Sequence, residues 1–228
     1  GEGQVYAAGG VESMSRAPWV LPKTERAFPT GHSTLFDTTL GWRMTNPRME
    51  ALGHTDALGV TAEHLATGQH LDSAAQISRA DQDRFALASH QRAVRAADAG
   101  LFAEEIVPVP AATRRGETLV SADEGPRRDT SLDQLAALKP AFQKGGTVTA
   151  GNSSSLNDGA AALLLVASDY AQAHGLRPLA RVRSMAVAGV PPRWMGIGPL
   201  PATAKALDRA GLALSDIGLI ELNEAFAA

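Results

Sequence analysis

Hydrophobic and polar positions along the chain follow two periods, which predicts strands alternating with helices. The clearest helical pattern begins at Ser78 and stops at Gly100, with Asp81 in the third helical position as in a capping box. Helices are predicted over residues 58–71, 78–100, 132–138, 168–174 and 201–210. Strands are predicted over residues 4–8, 106–109, 147–150, 160–167, 179–188 and 217–222. This alternation indicates an α/β sheet with helices on its faces.

The most informative stretch is residues 147–168. It predicts a strand at 147–150, a loop of small polar residues at 151–155, and a buried strand at 160–167 that ends at Ser168, a helix cap. A loop of Gly, Asn and Ser allows a ligand to approach the backbone closely and offers several hydrogen-bond donors. We therefore expect a binding surface carried on a sheet. The composition of residues 28–49 predicts a surface loop or a subdomain, and that of residues 111–131 predicts a charged, solvated loop.

Composition excludes several classes of protein. The 228 residues contain 21 Lys and Arg against 24 Asp and Glu, a formal charge of −3 without a long run of one sign, which does not suggest a nucleic-acid or membrane surface. The longest apolar run, residues 160–167, is far shorter than the roughly 18 residues of a membrane helix. The six histidines lack metal-ligand spacing, so no metal site is expected.

The chain contains no cysteine, which excludes disulfides and thiolate metal sites within it. No targeting segment is visible, so the cytoplasm is the expected compartment. The first residue is Gly1, a predicted strand follows almost at once, and the last residues, 225–228, lie inside a helical pattern. We expect the chain to be an internal piece of a longer protein.

Three segments carry a resemblance to a known family. They are residues 147–161 (TVTAGNSSSLNDGAA), residues 9–18 (GGVESMSRAP) and residues 223–228 (NEAFAA). Together, in this order and spacing, they resemble the thiolases, enzymes that make or cleave 3-ketoacyl-CoA thioesters. One segment alone would be a weak signal, but three are specific. The resemblance covers essentially the whole chain.

The resemblance implies an α/β fold of the layered α-β-α-β-α thiolase type with an inserted loop domain, incomplete at both ends. Residues 1–27 and 157–177 would belong to the N-terminal thiolase half, residues 28–156 to a CoA-binding loop domain, and residues 178–228 to the start of the C-terminal half. It also implies a homodimer or homotetramer for the full-length protein.

The implied activity is acyl transfer to or from CoA by ping-pong covalent catalysis. Acyl-CoA and CoA are substrates, and no prosthetic group is implied. A thiolase uses a nucleophilic cysteine, a second cysteine that moves protons, and a histidine in a Gly-His-Pro segment. None of the three is in this sequence. In family order they would lie before Gly1 and after Ala228, so we expect the chain alone to be inactive.

Asn223 is the residue for which the resemblance implies a catalytic role. In thiolases the matching Asn orders a water that helps to polarise the thioester oxygen, where negative charge develops. Its position after a predicted strand also suits a helix N-cap, and both roles can hold together. Glu224 follows it, and we interpret that side chain as a structural acid in the first helical turn rather than as a general base.

A second set of residues matches positions that contact CoA in thiolases: Leu58, Arg127, Ala150, Ser154, Leu156, Met195 and Phe226. Ser154 would bond the pantetheine chain, with Ala150 and Leu156 in the same groove. Arg127 would stack near the adenine, although a mobile surface arginine is a serious alternative. For Met195 and Phe226 ordinary core packing is the alternative, and for Ser154 it is a hydroxyl bonded only to backbone.

Two features favour a degradative thiolase. Ala57-Leu58 stands where biosynthetic acetoacetyl-CoA thiolases have His-Met, so that histidine is absent. Residues 37–43 (DTTLGWR) resemble thiolases of the β-ketoadipyl-CoA type. The alternative from another class is a non-catalytic CoA-binding or scaffolding remnant. An α/β hydrolase is disfavoured because Ser154 lacks the Gly-x-Ser-x-Gly context.

Overall fold

The computed structural model describes residues 3–68, 76–114 and 116–228. Its strands are β1 (Val5–Ser13), β2 (Trp19–Val20), β3 (Phe36–Asp37), β4 (Val109–Thr113), β5 (Gly116–Val120) and β6 (Asp158–Val166). Its α-helices are α1 (Pro47–Ala51), α2 (Leu58–Ala66), α3 (Arg79–Asp98), α4 (Leu132–Ala136), α5 (Ser168–Ala173) and α6 (Pro199–Ala210). Short 3-10 helices lie at Met14–Arg16, Pro192–Ile197 and Leu214–Asp216. None of the helices within the described ranges has the length and apolar character needed to span a membrane.

The predicted helix from Ser78 to Gly100 is confirmed as α3, the longest of these helices. The Ser78 hydroxyl accepts a hydrogen bond from the Asp81 backbone N–H at 3.1 Å and donates one to the Asp81 carboxylate at 2.5 Å. Gly100 follows the last turn with φ of 70°, a left-handed conformation that glycine adopts without strain. A cap at each end explains why the sequence located this helix so well.

The other predicted helices form with small shifts at their ends. α2 ends at Ala66, whereas the pattern predicted residue 71, which lies outside the described residues. Ser168 is the first residue of α5 rather than its cap, because Ala167 holds the N-cap position. α6 ends at Ala210, and the C-cap residue Gly211 has φ of 65°, as expected for the residue that stops a helix.

β1 and β6 pair antiparallel over their whole length, from Val5 opposite Val166 to Ser13 opposite Asp158. The sheet has two strands, and the side chains of both are largely exposed. The prediction of a buried strand at 160–167 is therefore right about the strand and wrong about its burial. Two strands leave both faces of a sheet open, and burial requires further strands or helices against it.

Several other predicted strands are wrong, and the reason is shared. Residues 147–150 end in a turn, and residues 179–188 and 217–222 lie outside the strands of the structure. A strand requires a partner as well as a suitable pattern, and none of the described strands pairs with these segments. The strand predicted at 106–109 begins at Val109 instead and forms a hairpin with β5, inside the region expected to be a solvated loop.

The chain divides into two compact units, Gly1–Thr61 with Leu156–Leu222 and Ala62–Ser155 with Asn223–Ala228. The second unit holds most of the buried apolar side chains of the described residues, namely Ala62, Ala66, Ala86, Leu135 and Val148. Gln82, Val148 and Thr149 are fully buried in the same unit. The core thus surrounds the start of residues 147–155. This segment contains the predicted loop 151–155 and is called the polar loop below. The domain boundaries inferred from the resemblance remain a prediction.

Candidate active site

The polar loop 147–155 is anchored by a buried carboxylate on α2. The backbone N–H of Thr147 donates to both oxygens of Glu63 at 2.8 and 2.9 Å, and the N–H of Val148 donates to Oε1 at 2.8 Å. The Thr147 hydroxyl adds a fourth bond at 2.9 Å. Glu63 is only 5% exposed, so these donors replace the water that a carboxylate would otherwise hold. The start of the loop is therefore fixed to α2.

Gly146 makes this anchoring possible. A Cβ atom at residue 146 would lie 2.7 Å from the Glu63 Cδ atom, closer than real contacts allow. The carboxylate itself has four hydrogen bonds and cannot move away freely. Glycine is thus required because the backbone passes directly over the carboxylate.

A second buried group, Asn152, holds the middle of the loop. Its Oδ1 accepts from the Thr149 N–H at 2.7 Å, and its Nδ2 donates to the Thr147 carbonyl and to Asp83 Oδ1, each at 3.1 Å. Asp83 lies on α3 and receives the Arg79 guanidinium at 2.8 Å. Since Asn152 is 3% exposed and Asp83 is 4% exposed, the charge of Asp83 is both buried and paired.

Residues 223–228 lie against the same loop. The Ser154 N–H donates to the Ala225 carbonyl at 2.8 Å, and the Ala227 N–H donates to the Asn152 carbonyl at 2.9 Å. Between them Ser153 and Phe226 form an isolated antiparallel bridge. Two of the three segments that carry the family resemblance, distant in sequence, are thus joined by backbone hydrogen bonds.

Phe226 also meets an aromatic ring that the sequence did not single out. Its ring and that of Phe142 have centroids 6.0 Å apart and stand at 84° to each other, the edge-to-face arrangement that aromatic pairs favour. Both residues are half-buried. Phe226 therefore packs against a neighbour, and its packing leaves part of the ring accessible.

Asn223 does not cap a helix, which corrects the prediction for the residues that follow it. Residues 223–228 contain a bend and the isolated bridge instead of helical turns. The backbone of these residues is instead paired with residues 152–154 of the polar loop. The Asn223 side chain is exposed, and its neighbour Glu224 accepts a hydrogen bond from the Ser89 hydroxyl of α3 at 2.5 Å.

Arg127 lies at a cavity of about 370 Å³ beside α3. The cavity is lined by Gln91, Val94, Arg95, Arg127, Arg128 and Thr130. The Arg127 backbone N–H donates to His90 Nδ1 at 3.2 Å, and its side chain is exposed. Arg128 forms two hydrogen bonds with Asp98, at 2.8 and 2.6 Å, and this bonding lowers the pKa of the Asp98 carboxyl. The Arg127 side chain thus lines this cavity, and its neighbour Arg128 is paired with Asp98.

The remaining predicted CoA contacts, Leu58, Leu156 and Met195, belong to the other compact unit. Leu58 begins α2 and is 57% exposed, and Leu156 is 51% exposed just after the polar loop. Met195 lies in the 3-10 helix Pro192–Ile197 and is 48% exposed. Each is an exposed apolar side chain, as an apolar ligand surface requires.

The second unit therefore brings together four predicted site residues, Ala150, Ser154, Asn223 and Phe226. Arg127 is connected to α3 in the same unit through its bond to His90. Sequence reasoning missed Glu63, Asp83 and Phe142, because their partners lie far along the chain: the Glu63 and Asp83 bonds span 84 and 69 residues. The one available signal was the Arg79–Asp83 spacing, which suits an ion pair on a helix. Chemically, the exposed Ser154 of this otherwise largely buried loop could bind a polar chain, and the exposed Asn223 amide could polarise an oxygen.

Family models match nearly the whole chain. The thiolase N-terminal domain matches residues 1–169, and the thiolase C-terminal domain matches residues 176–228. Within the described residues, no group of three or more His, Cys, Asp or Glu side chains is arranged to hold a metal ion.

Named relatives agree with these models. The chain is 54% identical over 227 residues to the beta-ketoadipyl-CoA thiolase of Pseudomonas aeruginosa. It is 50% identical over 229 residues to the 3-oxoadipyl-CoA/3-oxo-5,6-dehydrosuberyl-CoA thiolase of Escherichia coli. Both alignments cover 100% of this chain and 55% of the relative, so the chain spans about half the length of the curated relatives it matches.

Solved structures give the same result for the fold. The crystal structure of the Bacillus anthracis acetyl-CoA acetyltransferase matches with a TM-score of 0.84 and 42% identity. The match covers 98% of this chain and 54% of that chain. The predicted thiolase-type α/β fold is therefore confirmed.

Proposed function

Because the chain belongs to the thiolase family, we propose that the protein containing it is an acyl-CoA thiolase, an acyltransferase that cleaves or forms 3-ketoacyl-CoA thioesters. One observation carries this proposal: the segment 223–228 is hydrogen-bonded to the polar loop 152–154. This pairing holds the expected catalytic amide and the expected pantetheine-binding loop beside each other.

In the proposed reaction a cysteine thiolate attacks C3 of the 3-ketoacyl-CoA, the C2–C3 bond breaks, and C2 takes up a proton so that acetyl-CoA leaves. The thiol of free CoA then takes the acyl group from the cysteine sulfur, which returns as the thiol. The cysteine nucleophile, the second cysteine and the histidine are supplied by residues outside these 228, since the sequence contains no cysteine and no Gly-His-Pro segment. The Asn223 amide orders a water against the thioester oxygen and stabilises the charge that develops there.

The CoA-binding part falls to residues of this chain. Ser154 donates a hydrogen bond to the pantetheine chain, with Ala150 and Phe226 as apolar neighbours in the same unit. Leu58, Leu156 and Met195 are proposed as further apolar CoA contacts from the resemblance alone. Arg127 meets the adenine end, where a planar guanidinium can stack. Support comes from exposure, because each of these side chains is exposed or half-buried.

The substrate we propose is a degradative 3-ketoacyl-CoA of the β-ketoadipyl type. Support comes from Ala57, which replaces the histidine of biosynthetic thiolases, and from two relatives named for β-ketoadipyl-CoA or 3-oxoadipyl-CoA. Thiolysis of 3-oxoadipyl-CoA between C2 and C3 would give acetyl-CoA and succinyl-CoA.

We also propose a cytoplasmic homodimer or homotetramer as the working form.

The test is thiolysis by the complete gene product that carries these residues. With free CoA and 3-oxoadipyl-CoA, we expect acetyl-CoA and succinyl-CoA in equal amounts by mass spectrometry. The 228-residue chain assayed in parallel should give neither product. CoA binding without turnover by the complete protein would instead identify the non-catalytic CoA-binding or scaffolding remnant. Turnover by the 228-residue chain would overturn the proposed division of catalytic groups.

A further inference from the structure

One face of α3 holds each segment of the second unit that carries a predicted site residue. Gln82 donates to the Thr147 hydroxyl at 2.9 Å, and Asp83 accepts from Asn152. Two turns further on, Ser89 donates to Glu224, and His90 accepts from the Arg127 backbone. Positions spaced by three, four and seven residues share a helix face, so these contacts form one continuous strip.

The Ser89 bond differs from the others because it reaches the residue next to Asn223. The Ser89 hydroxyl donates to Glu224 Oε2 at 2.5 Å. After Glu224, the backbone is held by the loop through Ala225 and Ala227. The Asn223 carbonyl accepts from the Ala225 N–H at 3.0 Å, which makes a tight turn around Glu224.

Ser89 itself stands on a rigid support. It is half-buried in the middle of a 20-residue helix whose first turn is capped by Ser78 and held by the Arg79–Asp83 ion pair. A hydroxyl on such an element has a fixed position relative to the loop that Asp83 and Gln82 hold. The Glu224 carboxylate is therefore held by the same helix, α3, as the predicted pantetheine-binding loop.

We propose that Ser89 is a positioning residue for Asn223 and acts through Glu224. This inference rests on the proposed thiolase function. Ser89 fixes the Glu224 carboxylate, and the tight turn around Glu224 transmits that constraint to the direction of the Asn223 amide. The amide matters where charge develops in the transition state, so loss of the constraint lowers kcat and leaves CoA binding, which depends on other residues, almost unchanged.

The experiment is steady-state thiolysis of a 3-ketoacyl-CoA by the complete gene product and its Ser89→Ala, Ser89→Thr, Glu224→Ala and Ser89→Ala/Glu224→Ala variants. Alanine is the best helix former, so Ser89→Ala should fold normally, which circular dichroism checks. We expect Ser89→Ala to lower kcat about tenfold, with KM for CoA within twofold of wild type. Ser89→Thr keeps the hydroxyl and should recover most of the loss.

The double variant tests whether Ser89 acts on Asn223 through Glu224 or in another way. If Ser89 acts through Glu224, Ser89→Ala has no further effect on kcat in the Glu224→Ala background. An equal loss in that background would overturn the inference, as would a Ser89→Ala kcat within twofold of wild type, or a Ser89→Thr variant as impaired as Ser89→Ala. An inactive wild-type protein would instead refute the thiolase function itself, so the two failures are distinguishable.

Discussion

At the scale of single residues, the strongest constraint on the site is the buried carboxylate of Glu63, which no sequence pattern identified. Glu63 lies in an ordinary amphipathic helix, and its four hydrogen bonds appear only when residues 147 and 148 fold back onto it. A buried carboxylate satisfied by backbone N–H groups holds a loop more firmly than surface contacts do. The position of the polar loop thus depends on Glu63, which lies outside all three signature segments.

We expect Glu63→Gln to destabilise the complete protein by about 3 kcal/mol, because the amide NH2 then faces N–H donors that keep no acceptor. Urea unfolding at pH 7 measures the change through the transition midpoint. Glu105→Gln is the control, since Glu105 is exposed and its replacement should change stability by less than about 0.5 kcal/mol. Equal midpoints for Glu63→Gln and wild type would refute the anchoring role.

For Asn223, whose amide is exposed, we expect the opposite result: a loss of activity with little loss of stability. Asn223→Ala should lower kcat for thiolysis by about a hundredfold, as expected for loss of a group that stabilises developing charge, with little change in melting temperature. Asn46→Ala removes the cap of α1, where Asn46 Oδ1 accepts from the Arg48 N–H at 2.9 Å. That variant should lose about 1 kcal/mol of stability and keep its kcat. A fully active Asn223→Ala protein would remove Asn223 from the mechanism.

At the scale of elements, the close approach of residue 146 to α2 gives a matched pair of glycine substitutions. Gly146→Ala puts a Cβ against the fixed Glu63 carboxylate and should cost about 2 kcal/mol. Gly159→Ala, in β6, meets nothing within 4 Å and should be neutral. Thermal unfolding of both variants gives the comparison. The account of the loop would be wrong if Gly159→Ala were the more damaging change.

A further element-scale prediction concerns the tie between β6 and the residues after β1. Asp158 Oδ1 accepts the Ser15 N–H at 2.8 Å and Oδ2 accepts its hydroxyl at 2.5 Å. The hydroxyl bond, followed by the backbone bond, lowers the pKa of the Asp158 carboxyl. A lowered folded-state pKa gives stability that is present above the unfolded value, about 4, and lost as pH falls through the folded value.

Asp158→Asn should therefore be less stable than wild type at pH 7, and the difference in urea midpoint should shrink as the pH falls below about 4. Asp208→Asn, on the exposed side of α6, serves as the control for a general change in charge. A difference that stays constant or grows down to pH 3 would contradict the assignment.

The elements also explain what the sequence could and could not predict. α3 and α6 were found because their capping signals, Ser78 with Asp81 and Gly211, are local. Segments 179–188 and 217–222 have strand-like composition, but a strand also requires a partner, and pairing is decided by distant residues. The hairpin of β4 and β5 was missed because charged residues at 114–129 suggested only solvation.

At the scale of the whole molecule, the signature segments were recognisable from the sequence, whereas the side chains that hold them in place were not. Ala150, Ser154 and Asn223 stay predicted site residues, and the fold joins the two segments that contain them by backbone hydrogen bonds. The strip along α3 that holds them was not predictable, because each of its bonds joins α3 to a segment dozens of residues away. Contact partners of this kind follow from the fold and not from any local pattern.

The central claim is that these residues form the CoA-binding part of a thiolase whose nucleophile lies outside them. The most direct test is the intact mass of the natural gene product, recorded after mixing with succinyl-CoA and acid quenching. We predict a protein well above 23.8 kDa that gains the mass of one succinyl group on a cysteine, with release of free CoA. A protein of 23.8 kDa that gains no succinyl group would contradict the claim.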